Sequence, residues 1–365
     1  MNAKKLFPSP PLKEGDLGGG RIQSLDLARG FTVLIMPTIH VVMLYSNPEV
    51  QQSLLGNILA FIAEGPGAQL FMLMMGIGIV FSKRNNNRYI IQRALYLLIT
   101  AYALNAFKFN IPLWLGWLPE NLLQELQGTG IQPTATFFLF IGDILHFAAI
   151  AFPLTCLVAK STHYPFLAVI LVIAVTLLAP FVWDKQTGIP VIDHLIILFN
   201  GHPPQTFFPV FPWLAYPLMG ITIGFLLKHY PVKSILKKAG WIGLGVMIIT
   251  CLFPPTPMQQ DWLPFYRTAP ADTFFHLGFV CTWIAVAHWI SRKVKGNIFF
   301  DLLTFCSKHI TAIYLIQWIL ICWGMAIAGY GTLGFTTTFF SMLIITVVTL
   351  SLTKLLPYVS RKKSI

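Results

Sequence analysis

Charge is what this chain has least of: 10% of its 365 residues are Asp, Glu, Lys or Arg, against 56% hydrophobic. Soluble domains carry about a quarter of their residues as charges, so a soluble globular protein is excluded. Cysteine is also sparse, five in all, with Cys156, Cys251, Cys281 and Cys322 in apolar runs and Cys306 just before one. No paired spacing points to a disulfide framework or a cysteine metal site. A Gly-rich phosphate loop, an ordered Ser-His-Asp set and zinc-type histidine spacing are all missing, so no metal is expected. Residue patterns show no internal repeat, inverted or parallel, which weighs against the commonest transporter architectures. A cleavable signal peptide is not expected either, because the first apolar run is too long and has no small-residue cleavage site; it reads as an uncleaved anchor.

What the chain has in abundance is apolar sequence in long runs. About 20 apolar residues match the hydrocarbon core of a bilayer. The expected fold is therefore all-α, a polytopic membrane protein with about ten transmembrane helices, near 27–46, 56–81, 90–107, 136–158, 166–183, 209–227, 240–253, 273–290, 309–328 and 334–356. Residues 1–20 are rich in Pro and Gly and read as a disordered tail. Residues 21–360 then form a single transmembrane domain. Gly76 and Gly78, inside an apolar run, read as close-packing positions.

The net charge of +12 raises nucleic acid as a partner, but the distribution of the basic residues argues against it. Most of them, including Lys83, Arg84, Arg88, Lys228, Lys233, Lys237, Lys238, Arg292 and Lys293, fall on one side of the expected topology. Only Lys108, Lys185 and Arg267 fall opposite. By the positive-inside rule both termini are cytoplasmic and the protein is a multi-pass component of the inner (plasma) membrane, with lipids as its surroundings. The segments 108–135, 184–208 and 254–272 are then long outer loops that suit recognition. Nothing in the sequence specifies an oligomeric state.

Ionisable side chains inside these spans are the candidates for chemistry, because such groups are costly in lipid and usually face a protein interior or a watery cavity. Arg29 and His40 lie eleven residues apart on the first span. On a helix that offset returns to within roughly 20° of one face, about 16 Å along the axis. Arg29, near the inner surface, suits phosphate or carboxylate, and equally suits a topology anchor paired with Asp26. His40, deep in the span, suits a general base. Glu64 and Asp143 reach a comparable depth, and either is a candidate to orient His40 or to serve as a structural partner. His146 lies one turn beyond Asp143 on the same face. Arg84, Arg88 and Arg93 line the inner end of the second and third spans, as phosphate ligands or as anchors. Trp213 and Tyr216 suit an interface belt, with Trp213 a candidate substrate contact. His194 and His202, in the preceding outer loop, are candidates to touch an acceptor.

The run Arg21-Ile-Gln-Ser-Leu-Asp26-Leu-Ala-Arg29-Gly30, followed by a first-span histidine, resembles the opening of integral-membrane acyltransferases with an Arg-x10-His pattern. Within that superfamily, Phe208-Pro-Val-Phe-Pro-Trp-Leu-Ala-Tyr-Pro-Leu-Met-Gly220 is similar to the heparan-alpha-glucosaminide N-acetyltransferase catalytic-domain family and its bacterial relatives. Ser307-Lys-His-Ile-Thr-Ala-Ile-Tyr314-Leu-Ile-Gln317 resembles a near-C-terminal helix of the same group. The resemblance implies transfer of an acyl group, usually acetyl, from cytoplasmic acyl-CoA to a sugar or glycan acceptor across the membrane. His40 would then be the essential histidine, either deprotonating the acceptor or carrying the acyl group, and Arg29 would help hold the CoA end. The lysosomal relatives are associated with a histidine in the first luminal loop, and Ser46-Asn-Pro-Glu-Val-Gln-Gln-Ser53 has none. The rival reading is a proton-coupled transporter that uses His40, Glu64 and Asp143 as a relay.

Overall fold

The computed structural model describes residues 17–18, 21–84, 86–253, 263–294 and 296–362. The proposed tail, residues 1–20, lies outside the described residues apart from Leu17–Gly18, which makes a two-residue antiparallel ladder with Arg21–Ile22. The rest of the described regular structure is helical. In chain order, α1 is Gln23–Tyr45; α2, Leu54–Phe81, contains a π turn at Ala63–Gly67; and α3, Asn87–Trp114, contains another at Ala106–Asn110. There follow α4 (Ala135–Phe140), α5 (Ile144–Ala159), α6 (Tyr164–Val182), α7 (Val210–His229) and α8 (Val232–Thr250). The series ends with α9 (Pro270–Lys293), α10 (Ile298–Lys308), α11 (Ile310–Ala328) and α12 (Phe335–Lys362).

Eight of these, α1, α2, α3, α6, α7, α9, α11 and α12, are long and apolar enough to cross a membrane. The chain is a multi-pass membrane protein. Side chains such as Phe166, Phe181 and Ile327 stand exposed, an arrangement that lipid solvates and water would not.

Two of the ten expected spans depart from this set. The run expected over 136–158 is interrupted: α4 stops at Phe140, and the Gly142 backbone exchanges hydrogen bonds with Gln205 and Phe207, 2.8 Å each. Asp143 then opens α5 as its N-cap, the position where a short acidic side chain satisfies otherwise unpaired N–H groups. With 16 residues, α5 is about 24 Å long, short of a full crossing. The run expected over 240–253 is the later part of α8, which begins at Val232. Its first two turns alternate Lys233, Lys237 and Lys238 with buried Val232, Ile235 and Leu236, the pattern of an amphipathic helix.

Contacts divide the chain into two compact units. One gathers the chain up to Ala28 with Gly65–Ala101 and Ile141–Lys295; the other holds Arg29–Glu64, Tyr102–Phe140 and the chain from Gly296 onward. In the first unit, the Ala68–Phe81 part of α2 packs on α7, α6 packs on α7, and α8 packs on α9. Small residues set two of these crossings. A Cβ on Gly76 would run into the Pro217 carbonyl, and one on Gly220 into the Leu73 carbonyl. Gly243 and Gly278 face each other's carbonyls in the same way. With no hydrophobic drive between helices in lipid, such backbone approach is what makes their packing favourable. Leu70, Leu73, Ile77, Ile223 and Leu227 fill the core beside the first crossing. Gly78, expected to share the role of Gly76, is exposed and has nothing within 4 Å of a built Cβ. In the second unit, α11 packs on α12 and on the π turn of α3.

These crossings predict that the two glycines respond oppositely to the same change. Gly76→Ala should destabilise the detergent-solubilised protein by about 1–3 kcal/mol through overpacking. Gly78→Ala should leave it unchanged or raise its stability by up to about 1 kcal/mol, since Gly is a poor helix residue. Thermal unfolding of both variants checks this, and equal effects would refute the assignment of Gly76 to a helix crossing.

Candidate functional site

In the second unit, α1 runs alongside the segment that comprises α10 and α11. The Arg29 guanidinium, half-buried, forks onto one acceptor: Nε and Nη2 donate to Ser307 Oγ at 2.9 and 2.7 Å. Next to it, Gly30 lies against the Leu303 backbone, and a Cβ there would collide with the carbonyl. Eleven residues further on, the His40 ring stacks on Trp318 with centroids 4.2 Å apart and planes tilted by 33°. Trp318 is itself eleven residues beyond Ser307. Further along, Tyr45 donates its hydroxyl to the Ile321 carbonyl at 2.7 Å, in the space left open by Gly324. Ser46 pairs in parallel with Leu333, and Asn47 N donates to the Leu333 carbonyl at 2.9 Å. The two segments are therefore parallel, with one offset of 278 residues at Arg29–Ser307 and at His40–Trp318, and they stay together as far as Asn47.

A third element reaches the same indole. Lys108 occupies the middle of the π turn Ala106–Asn110 and is 3% exposed. Its Nζ lies 4.7 Å from the Trp318 ring and 4.8 Å from the Phe109 ring. Five-residue turns of this kind leave a carbonyl out of the regular ladder, and here Trp323 on α11 donates its indole N–H to the Phe107 carbonyl at 2.8 Å. Asn105 anchors the same stretch to α4 through the Leu139 carbonyl at 2.9 Å. Beside Trp318 in sequence, Gln317 is fully buried. Neither amide atom of Gln317 has a hydrogen-bond partner among the described residues, and the same is true of Trp318 Nε1 and Asn110 Oδ1.

Residues 21–252 match the family described as heparan-alpha-glucosaminide N-acetyltransferase, catalytic. The chain belongs to this family. The match covers more than half of the chain, including Arg29, His40, Glu64 and Lys108. The family is one of N-acetyltransferases, which makes the chain a membrane-embedded transferase. Ser307, Gln317 and Trp318 lie beyond the matched residues, and the likeness to Arg-x10-His acyltransferases rests on α1 alone. A search of curated proteins found no match.

The remaining residues singled out from sequence divide between the two units of this transferase. Glu64 belongs with Arg29 and His40 in the second unit, where it is exposed in the π turn Ala63–Gly67. Arg84, Arg88, Arg93, Asp143, His146, Trp213 and His202 belong to the first. There Asp143 and His146 form a reciprocal capping box. Asp143 Oδ1 accepts from Ile144 N at 2.7 Å, and Asp143 N donates to His146 Nδ1 at 3.1 Å. Their one-turn spacing is thus the spacing of a helix start. Arg84 and Arg93 each rest on a neighbouring ring, Tyr89 at 6.0 Å and Tyr96 at 5.3 Å, while Arg88 is exposed. Trp213 is 1% exposed, so the interface-belt expectation is corrected. It donates to the Tyr266 carbonyl at 2.8 Å within a cluster of Phe208, Tyr216, Phe265 and Tyr266, because an indole in a fold interior needs both packing and an acceptor.

His202 stands 43% exposed beside an ion pair. Arg267 grips Asp184 with both Nη atoms at 2.9 and 2.7 Å and also donates to the Asn200 and Gly201 carbonyls. Asn200 in turn holds the Val182 and Lys185 carbonyls. Arg267, one of the three basic residues expected on the outer side, therefore ties together the loop that follows α6. Its hydrogen bonds keep the Asp184 carboxyl below the usual 3.8, with partial burial opposing. A carboxyl lowered in the folded state contributes stability above the unfolded value and loses it as pH falls through the folded one. Asp184→Asn should accordingly cost about 0.5–1 kcal/mol at neutral pH, a small value because the carboxylate is well exposed. The gap in melting temperature between wild type and variant should close below pH 3.8. A gap that is constant with pH would show that the pair does not hold the loop.

Proposed function

We propose that the protein transfers an acetyl group from cytoplasmic acetyl-CoA to an amine or hydroxyl of a sugar or glycan on the far side of the inner (plasma) membrane. In this reading α8, and α5 together with the irregular backbone that leads into it, join the eight apolar helices to make ten crossings with both termini cytoplasmic, which suits the one-sided placement of the lysines and arginines. The observation that carries the reading is the register of α1 on α10 and α11. It holds a guanidinium and an imidazole about three turns apart, each fixed by a side chain of the partner segment.

The chemistry of the residues fits the donor at both ends. A planar guanidinium matches phosphate oxygens with paired N–H groups. Two N–H bonds to Ser307 set the direction in which Arg29 presents the rest of its fork. The His40 imidazole, steadied on Trp318, takes the proton from the acceptor and returns it to the departing thiol, so that it ends neutral and ready for the next cycle. Glu64 is kept as the carboxylate that supports His40. Asp143 and His146 are left out, because Asp143 Oδ1 and His146 Nδ1 close the start of α5.

The test is release of free thiol from acetyl-CoA by purified protein in nanodiscs, with a panel of amino sugars and glycans as acceptors. His40→Ala should lower kcat by about 10²- to 10⁴-fold, the usual contribution of a general base. Ser307→Ala should leave kcat in place and raise KM for acetyl-CoA about tenfold or more, the worth of hydrogen bonding to a charged group. Full activity in folded His40→Ala would exclude the assignment.

A further inference from the structure

Three features of the second unit are not used by the reading above: the buried indole N–H of Trp318, the buried ammonium of Lys108, and the π turn that carries it. We propose that Trp318 Nε1 and Lys108 Nζ are the paired donors that receive the acetyl carbonyl oxygen as it becomes negative, beside His40. The proposal rests on the acetyl-transfer reading and deepens it.

Position comes first. His40 and Lys108 both lie against one indole, at 4.2 and 4.7 Å, so a base and a cation are set around a single rigid platform. Next is hydrogen bonding. Trp318 Nε1 is buried and has no acceptor among the described residues. Buried N–H groups are nearly always paired, and one that is not calls for a reason. An acceptor atom that arrives with the substrate and gains charge during reaction supplies one. Topology gives a third argument. Of the three basic residues expected on the outer side, Arg267 is held by Asp184 and Lys185 is exposed to solvent. Lys108 is the buried one of the three, at 3% exposure, with its Nζ against the Phe109 and Trp318 rings. Its π turn is a form of backbone that recurs at functional sites.

The step balances with these groups. The acceptor's nitrogen or oxygen lone pair forms a bond to the thioester carbon, and the C=O electron pair moves onto oxygen, where Trp318 N–H and the Lys108 ammonium hydrogen-bond to it. His40 takes the acceptor proton. As C=O reforms and the C–S bond breaks, His40 gives that proton to sulfur, so the thiol leaves neutral. Lys108 and Trp318 keep their protons throughout.

Trp318→Phe is the decisive variant, since it keeps an aromatic face for His40 and Lys108 while deleting the N–H along with part of the ring. It should lower kcat for acetyl transfer by about 10²- to 10³-fold, the loss typical of one oxyanion donor. KM for acetyl-CoA should stay within about twofold, which marks an interaction made only in the transition state. Lys108→Gln should act in the same direction, and Lys108→Arg should recover part of the rate. A folded Trp318→Phe protein that turns over within about threefold of wild type, or that changes KM alone, overturns the proposal while leaving the acetyltransferase reading intact if His40→Ala is inactive. If Trp318→Phe does not fold, Lys108→Gln against Lys108→Arg decides by the same kcat criterion. No transfer by folded wild-type protein overturns both readings.

Discussion

Arg29 reaches Ser307 through two N–H groups, and from that contact the second unit is counted. A helix advances about 100° per residue, so a slip of one position between α1 and its partner would swing Trp318 away from His40. Three features resist such a slip. The guanidinium is a rigid fork whose hydrogen bonds are directional. Gly30 lets the backbones meet at Leu303, where any side chain would push them apart. At the other end Tyr45 reaches the Ile321 carbonyl through the gap at Gly324. A small residue and a polar clasp therefore occur together at each end of the stretch that holds His40. In a bilayer this combination matters more than in water, because lipid chains compete with apolar side chains on equal terms and leave close packing and hydrogen bonds to choose the register.

Much of this was legible in the sequence, for reasons that differ by residue. Long apolar runs announce spanning helices because the backbone has no other way to satisfy itself in lipid. The pair Arg29 and His40 stood out because ionisable groups are rare there. The break before α5 was missed because Phe137–Phe140 and Ile144–Ala159 look continuous by hydropathy. The signal was local: Gly142 and Asp143 are weak helix formers, and an acidic residue three positions before a histidine that can answer it is a helix start. Trp213 was misread because a tryptophan followed by Tyr216 among prolines has the composition of a membrane interface, and only the fold shows that Tyr266 covers it. Ser307 showed only as the first residue of a family-like run, with nothing to say what it holds, and Trp318 had no signal that one sequence provides. They matter through partners 278 residues away in each case, and the matching eleven-residue spacing means something only once the two segments are known to be parallel.

Lys108 belongs to a different class, since it was visible as a violation. The expected topology puts it where charge bias disfavours a basic residue, and it continues a buried stripe on α3 that runs through Leu97, Ala101 and Leu104. By pattern alone that position calls for an aliphatic side chain. The backbone departs from the regular α form at the same place. Glu64 repeats the combination on α2, an acidic residue within a π turn whose next residues are Gly65, Pro66 and Gly67. An ionisable group and a widened turn each work against helix stability in lipid, and independent defects have no reason to coincide twice. Their coincidence follows if the turn exists to aim the charge, because inserting one residue rotates a side chain by about 100° without moving the helix that carries it. Sequences are consistent across local and global levels except where function demands otherwise, and among the described residues the two π turns carry one acidic and one basic side chain.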